Sequence, residues 1–306
     1  MIQFVTSDHI DPKRWDDAIY SSQFPTIFAT YQFLSISCKS WGALIEDDYQ
    51  TVIPLPYNIK LGLHYIYTPP FISRLGVFSK RTIESHEICE YLKQIPSKFV
   101  LKELILNQCN GLDKSTLFTS YQLSLDNSFE KLYNSFSNNT KRNIKDALTK
   151  ELTYSDQVTI EEVIQLFKNN RGKELSKKIP QNHYNILSKL AQHAEKNALL
   201  DRVAVHNAQG VLIAAALFLK DQDRIWFWFS GRNHEYAEQK GMFFLINEYL
   251  KQHSTQKVIL DFNGSNNPNI ERFYAGFGSQ KYMYPFYKKY CSFVYPFLKV
   301  YKYIIK

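Results

Sequence analysis

The order of helical and strand-like segments along this chain occurs twice, and this doubling limits the folds open to it. In each half, helices come first, then short strands with an apolar period of two, then a helix, a strand and a further helix. The pattern restarts near Leu152, and 306 residues are long enough for two domains of about 150 residues each. The sequence therefore predicts two α/β domains, residues 1–150 and 151–306, packed without a flexible linker.

Composition excludes several classes of protein. Apolar residues make up 44% of the chain, which is enough for a packed core. The four cysteines are far apart, and the eight histidines form no ligand pattern, so we expect reduced thiols and no metal site. The longest apolar run, VLIAAALFL, has nine residues, against roughly 20 for a membrane span. Aspartates interrupt the N-terminus before a signal peptide could form, so we expect a cytoplasmic protein.

The positive charge of the chain is concentrated near its C-terminus. The net charge is +8, and residues 251–306 contain nine Lys/Arg but two Asp/Glu. The tail YMYPFYKKYCSFVYPFLKVYKYIIK alternates lysines with aromatic residues. One interpretation is a last strand and helix with a solvated basic face. The other is a surface for membrane headgroups at the inner face of the membrane, a phosphorylated donor or RNA.

Turn residues are concentrated in the segment LDFNGSNNPNIERFYAGFG, residues 260–278. A strand ends at Asp261, and Asn267 with Pro268 has the form of an N-cap followed by a first helical residue. Upstream, the strand RIWFWFSG leads through RNHEYAEQKG to a helix that begins near Gly241. A glycine at such a turn lets backbone N–H groups approach an anion, and the helix dipole adds positive charge there.

These parts resemble the GNAT superfamily of acyl-CoA-dependent N-acyltransferases. The residues NPNIERFYAGFG, 267–278, match the family motif at Asn267, Tyr274 and Gly278. The whole chain resembles the double-domain Fem-type acyltransferases (FemAB-like or BioF2-like) in the stretches SQFPTIFATYQFL, IPLPY, IYTPPF and SNNTKRNIKDALTK. The resemblance implies an α/β (α+β) fold of two tandem GNAT-like domains, each a mixed, mostly antiparallel sheet flanked by helices, with the active site in the C-terminal one.

The resemblance also implies an activity. A GNAT-like enzyme transfers an acyl group from a thioester, acyl-CoA or acyl-carrier protein, to an amine, and Tyr274 inherits the role of protonating the departing thiolate. The family's pyrophosphate loop keeps one glycine here, since Phe243 stands where a small residue is usual. We expect no tightly bound cofactor, with acyl-CoA as co-substrate. The expected cofactor-binding residues are Phe229, Ser230, Gly231, Gly241 and Asn267.

Two alternative functions stay open at this point. Fem-type members use aminoacyl-tRNA and act on cell-wall or lipid-linked precursors, so tRNA could replace acyl-CoA as the co-substrate. A GNAT-like protein without catalysis could instead bind RNA or a membrane through the basic tail. In the two catalytic cases the acceptor is an amine on a small or lipid-linked molecule.

The remaining candidate residues follow from the chemistry that acyl transfer to an amine requires. A general base must take the ammonium proton, and the candidates are Asp261 and Glu238. The alternative for Asp261 is that its side chain only caps the turn after it. The candidate substrate-binding residues are Trp226, Trp228, Lys141 and Arg142. For the tryptophans the alternative is a buried strand, and for the basic pair it is a solvated helix face.

Overall fold

The computed structural model describes residues 1–107, 112, 116–175, 179–264 and 266–291. By packing, the chain forms two compact units, one of residues 1–118 with the segment from Met283 onward, the other Thr119–Tyr282. This division does not coincide with the expected boundary near residue 150. The assignment of 1–150 and 151–306 as two tandem domains stays a prediction.

The described part of the first unit contains three α-helices and a sheet, with elements numbered in chain order. Its helices are α1 (Pro12–Tyr20), α2 (Tyr31–Ser37) and α3 (Ser85–Lys93). Its strands are β1 (Ile2–Thr6), β2 (Ser40–Glu46), β3 (Thr51–Lys60), β4 (Leu63–Ile66), β5 (Phe78–Ser79), β6 (Phe99–Ile105) and, from Met283 onward, β13 (Gln280–Tyr290).

The sheet of the first unit has the order β1–β2–β3–β4–β6–β13, with β5 paired to β3. All its neighbours are antiparallel except β4 and β6, which are parallel. A parallel pair needs a crossover, and the chain supplies α3 between these two strands. Trp15 of α1 packs against Trp41 of β2 with ring centroids 5.2 Å apart, which joins helix and sheet in a buried core.

The second unit begins within β7 and ends with the first residues of β13. Its strands are β7 (Thr116–Ser124), β8 (Thr153–Ser155), β9 (Leu200–His206), β10 (Leu212–Lys220), β11 (Arg224–Arg232) and β12 (Ile259–Asp261). Its helices are α4 (Phe129–Ser135), α5 (Asn138–Leu148), α6 (Ile160–Asn169), α7 (Arg171–Glu174), α8 (Gln181–Lys196), α9 (Gly241–His253) and α10 (Pro268–Ala275).

The sheet of the second unit repeats the plan of the first. Its order is β7–β12–β11–β10–β9–β8, and only β11 and β12 are parallel, with α9 as their crossover. Phe227 of β11 belongs to the same core as Leu245 and Tyr249 of α9. The ring of Phe229 packs instead against Phe167 of α6, with ring centroids 4.8 Å apart. The predicted fold class, a mixed and mostly antiparallel sheet flanked by helices, is confirmed.

Side-chain caps mark the start of α1, α4 and α5. Asp11 caps α1 by accepting from the N–H groups of Lys13 and Arg14 at 2.9 and 3.0 Å.

For α4 the sequence favours Asn127 as the cap, and for α5 Asn139 or Thr140. These two predictions are wrong by one to three residues. The caps are Ser128 and Ser137, whose side chains accept hydrogen bonds from the third helical N–H group of each helix.

Some expectations concern residues outside those described. Cys109 and the tail beyond Cys291 are among them, so the membrane, phosphate or RNA role of the tail stays a prediction. Cys38, Cys89 and Cys291 are free thiols. Within the described ranges, no helix combines the length and apolar character needed to cross a bilayer, and no three ligand-type side chains form a metal-binding group.

Asp201 of β9 is the centre of a polar network at one end of α9. It accepts hydrogen bonds from Tyr249 Oη at 2.9 Å and Lys220 Nζ at 2.7 Å, and His253 Nε2 lies 3.6 Å away. Burial alone would raise the pKa of Asp201, but the hydrogen bonds from His253 and Lys220, the charge of Lys220 and the Tyr249 hydroxyl outweigh it and lower the pKa to about 2. A carboxyl with a lowered folded-state pKa stabilises the fold above its unfolded pKa of about 3.9.

We therefore expect Asp201→Asn to reduce stability in a pH-dependent way. At pH 7 the free energy of unfolding should fall by about 1–2 kcal/mol, allowing for partial solvent screening. The deficit should shrink as the pH falls from about 4 toward 2, because the wild-type carboxylate then becomes protonated. Urea unfolding at several pH values measures this, with Asp156→Asn, an exposed carboxylate, as control. If the loss in free energy of unfolding does not change with pH, it arises from altered packing and not from the charge of Asp201.

Candidate active site

A cleft forms in the second unit where β11 and β12 separate. β12 pairs with Arg224, Ile225 and Trp226 only, while β11 continues to Arg232. Beyond the last paired residue lies a cleft of about 490 Å³. It is lined by residues of β11, the segment after it, the start of α9, α10, α5 and α7, including Asn143, Arg171, Glu174, Phe227, Ser230, Gly231, Arg232, His234, Lys240, Gly241, Phe243, Asn267, Phe273 and Tyr274.

The N-terminus of α9 lies at this cleft, as the glycine in the sequence predicts. Lys240 precedes the helix in the left-handed conformation with φ 56°, and Lys240, Gly241 and Phe243 all line the cleft. A Cβ atom at Gly241 would lie 2.8 Å from Cδ1 of Ile213. Gly241 thus allows close packing of α9 on β10, a reason separate from the predicted approach to an anion.

Phe243 forms part of the cleft wall and leaves the cleft open. Its ring packs edge-on against Phe273 with centroids 4.9 Å apart, and it lies 6.1 Å from the ring of Phe277. These contacts tie the start of α9 to α10. A bulky aromatic ring beside the helix N-terminus therefore narrows the space in which a pyrophosphate would contact the backbone.

Tyr274 projects from α10 into the cleft wall. Its ring stacks on Phe262 at 4.8 Å and meets Phe227 edge-on at 6.1 Å. Burial and the nearby charge of Asp261 raise the pKa of Tyr274, so the hydroxyl is protonated at neutral pH. Among the described residues this hydroxyl has no hydrogen-bond partner, and it is available to a ligand.

Close packing of glycines fixes the position of α10. A Cβ atom at Gly276 would lie 2.3 Å from Oγ1 of Thr140, and one at Gly278 would lie 2.1 Å from Oγ of Ser135. Gly278 also has φ 74°, whereas Gly276 has φ −60°, so at Gly276 the constraint is the close approach to α5. Asn267 caps α10 by accepting from Asn269 N–H at 3.0 Å and also lines the cleft.

Asp261 is an anchor within the protein and does not line the cleft. Its side chain is 0% exposed and forms an ion pair with Arg224 at 3.0 Å. Its other oxygen accepts from Ser120 Oγ and Asn263 N–H, each at 2.9 Å, and Tyr282 donates its hydroxyl to the pair-forming oxygen. The turn-capping alternative is therefore what the geometry favours for Asp261. Glu238 is exposed and is likewise outside the cleft lining.

The predicted cofactor-binding residues of β11 divide into two groups. Ser230 and Gly231 line the cleft, and their binding of a cofactor stays a prediction. Phe229 does not line the cleft, because it is buried against Phe167. A Cβ atom at Gly231 would lie 2.7 Å from the backbone nitrogen of Phe167, so this glycine lets α6 and the α7 that follows approach the strand.

The predicted substrate-binding residues lie outside the cleft. Trp226 and Trp228 are buried, and Phe227 lines the cleft instead. The register of β11 shifts between Phe227 and Phe229, and such a bulge interrupts the alternation of side chains that the sequence suggested. On α5, Lys141 Nζ donates to Asn134 O at 2.8 Å and Arg142 to Asn139 Oδ1 at 2.9 Å.

The cleft contains a cluster of charged residues that the sequence does not predict. His234 Nδ1 lies 2.8 Å from Glu174 Oε1, and Arg171 Nη1 lies 3.2 Å from Glu174 Oε2. All three line the cleft. Glu174 and His234 are 60 residues apart along the chain, so no local sequence motif indicates that they are in contact. His234 itself lies within the RNHEYAEQKG turn.

The cleft also has unbalanced positive charge. Arg232 and Lys240 line it, and within the described ranges neither has an ion-pair partner. The single acidic side chain of the lining, Glu174, is already paired. Together with the positive end of α9, these two side chains favour an anionic ligand.

Comparison with known proteins supports the fold. No family model and no curated protein sequence matches the chain. Among solved structures, FemX is similar with a TM-score of 0.67 at 12% identity, covering 99% of this chain and 100% of FemX. The C-terminal domain of a putative lysylphosphatidylglycerol synthetase from Agrobacterium fabrum is similar with a TM-score of 0.54, 9% identity and 94% coverage of each chain. L-PGS from Bacillus licheniformis has a TM-score of 0.51, 9% identity and 96% coverage of each chain.

These identities are low enough that the likeness concerns the fold alone. The fold is the one that FemX and the lysylphosphatidylglycerol synthetases share, in agreement with the Fem-type resemblance of the sequence. It extends over nearly the whole chain, so the resemblance is not restricted to the segment around Tyr274.

Proposed function

We propose that this protein is an acyltransferase that moves an acyl group from an activated donor to an amine acceptor in the cleft beside α9. The observation that carries the proposal is Tyr274, a protonated hydroxyl in the cleft wall without a hydrogen-bond partner among the described residues. Acyl transfer needs a proton donor for the leaving atom, and such a hydroxyl is suited to that task.

The cleft supplies the other requirements of the reaction. The part of β11 beyond its pairing with β12 offers backbone N–H groups near Ser230, and donors aimed at a developing oxyanion lower a barrier by about 3–4 kcal/mol each. Arg232, Lys240 and the start of α9 would bind phosphate groups of the donor. Binding both substrates side by side lowers the barrier further, and no nucleophile of the protein is needed.

Two donor classes are compatible with this arrangement: an acyl thioester, from acyl-CoA or acyl-carrier protein, and an aminoacyl ester, from aminoacyl-tRNA. Two observations favour the ester. Phe243 narrows the approach of a pyrophosphate to the helix, and the Tyr274 hydroxyl, which stays protonated at neutral pH, can donate its proton to a basic leaving atom. A thiol has a pKa of about 8.5, so a thiolate needs little help to leave, whereas an alkoxide is far more basic.

The fold is shared with FemX and with lysylphosphatidylglycerol synthetases, which is compatible with an ester donor here. For the acceptor we retain an amine on a small or lipid-linked molecule. A cleft of about 490 Å³ accommodates the reacting ends of two such substrates, and the remainder of a lipid-linked acceptor would stay outside it.

The test compares the two donors directly on the full chain. Purified protein is incubated with a mixture of amines and either a charged tRNA pool or a set of acyl-CoA thioesters, and amide products are detected by mass spectrometry. In parallel, thermal shifts with CoA and the salt dependence of tRNA binding are measured. Amide formation with charged tRNA supports the ester donor, and formation with acyl-CoA supports the thioester. Binding of RNA without any amide product would indicate the non-catalytic alternative and refute the proposal.

A further inference from the structure

The proposed reaction lacks a proton acceptor among the residues that the sequence suggested. Asp261 has both oxygens engaged within the protein, and Glu238 is outside the cleft lining. The amine acceptor must nevertheless lose a proton when its nitrogen bonds to the carbonyl carbon. A second polar cluster of the cleft, His234 with Glu174, is not used by any step described so far.

We propose that His234 is the general base of this site and that Glu174 is the positioning residue that orients it. The inference rests on the proposed acyl transfer and adds a residue to it. Glu174 Oε1 lies 2.8 Å from Nδ1 of His234. A carboxylate can only accept, so Nδ1 carries the proton and Nε2 of the neutral imidazole presents a lone pair.

The local backbone holds this pair in place. The N–H of His234 donates to Oδ1 of Asn170 at 2.9 Å, and Asn170 also donates its Nδ2 to Leu166 O at 2.9 Å. The segment after β11 is thereby tied to the C-terminal end of α6. Gly231 permits this approach, because any side chain there would meet the backbone of Phe167.

The charged groups around the imidazole are arranged for a base. Arg232 and Lys240 line the cleft as well. Arg171 is 3.2 Å from the second oxygen of Glu174, which holds that carboxylate in position to orient the imidazole. The same division of roles, a carboxylate orienting an imidazole, occurs in catalytic triads.

The proton balance of the step closes within the cleft. The amine nitrogen bonds to the carbonyl carbon, and the bond from that carbon to the ester oxygen or thioester sulfur breaks. Nε2 of His234 takes the proton of the nitrogen, and Tyr274 gives its proton to the leaving atom. The resulting imidazolium and phenolate are restored when the proton passes from the first to the second through water.

Three variants with matched readouts test the assignment. His234→Ala should lower kcat about 100-fold, the lower range for general base catalysis, with little change in donor KM. Added imidazole should restore part of the rate, which a merely structural histidine would not allow. Glu174→Gln should reduce kcat less and alter the pH profile. The acidic limb of the wild-type kcat/KM profile, which reports the essential base, should disappear in His234→Ala. His183→Gln, which is outside the cleft lining, is the control.

The possible failures are distinguishable. An active wild type with His234→Ala equally active, or inactive and not rescued by imidazole while its melting temperature is unchanged, overturns the base assignment and leaves acyl transfer intact. A wild type that forms no amide with either donor overturns the proposed function itself. Nitrogen-15 NMR of the imidazole gives a check independent of turnover: a proton on Nε2 instead of Nδ1 contradicts the inference, and one on Nδ1 supports it.

Discussion

Replacing Tyr274 by phenylalanine should lower kcat about 100- to 1000-fold while KM for both substrates changes little, because the hydroxyl acts on the leaving atom. The ring is held between Phe262 and Phe227, and phenylalanine keeps those contacts. The hydroxyl has no partner among the described residues, so its removal leaves no unsatisfied group behind. Steady-state kinetics with the donor found active, together with a thermal melt, measures both effects.

The size of this loss should depend on the donor. With a thioester, the departing thiolate is a weak base, and Tyr274→Phe should cost less than with an aminoacyl ester, whose alkoxide requires protonation. The raised pKa of Tyr274 also predicts no basic decline of the wild-type rate from this group below about pH 10, the usual value for tyrosine.

The control for Tyr274→Phe removes a neighbouring hydroxyl. Tyr121 lies 6.4 Å from Tyr274 between ring centroids, but its hydroxyl donates to Glu271 at 3.1 Å and it is outside the cleft lining. Tyr121→Phe should leave kcat within a few-fold of wild type. Equal effects of the two substitutions, or no effect of Tyr274→Phe with an authentic substrate pair, would remove Tyr274 from the mechanism.

The sequence predicts those features of the site that depend on residues close together along the chain. Asn267 and Pro268 define the start of α10 through local backbone chemistry, and the helix begins where they predict. Gly241 likewise marks the start of α9. Such signals act within a few residues, so they are readable without knowledge of the fold.

Contacts between distant segments had no comparable signal. The pairing of His234 with Glu174 depends on the approach of α6 to β11 at Gly231, which is a property of packing. The bulge in β11 that separates Phe227 from Phe229 is also a tertiary feature, and it puts these two side chains, two residues apart, in different surroundings. Period-two patterns predict strands but not the bulges within them.

For Asp261, the sequence predicts a candidate general base, whereas the structure shows a buried ion-pair partner that stabilises the fold. A carboxylate at the end of a strand, before a turn that leads to Tyr274, is suitably placed for a base. The structure surrounds it with Arg224, Ser120, Tyr282 and the N–H of Asn263. Arg224 is itself 14% exposed, so the ion pair is largely removed from water.

We therefore expect Asp261→Ala to destabilise the fold by about 3–5 kcal/mol, because it leaves a largely buried guanidinium without its partner. Chemical denaturation of the full chain measures the loss, and Asp223→Ala, an exposed carboxylate next to Arg224 in sequence, should change stability by no more than about 0.5 kcal/mol. In a double-mutant cycle, the variant with both Asp261→Ala and Arg224→Ala should lose less stability than the sum of the two single losses. Removing both partners leaves no unpaired buried charge, whereas each single substitution does. If Asp261→Asn instead keeps full stability and abolishes turnover, Asp261 is a catalytic group and the anchoring role is wrong. Stability and turnover must therefore be measured on the same variants, because a buried ion pair this close to Tyr274 affects both.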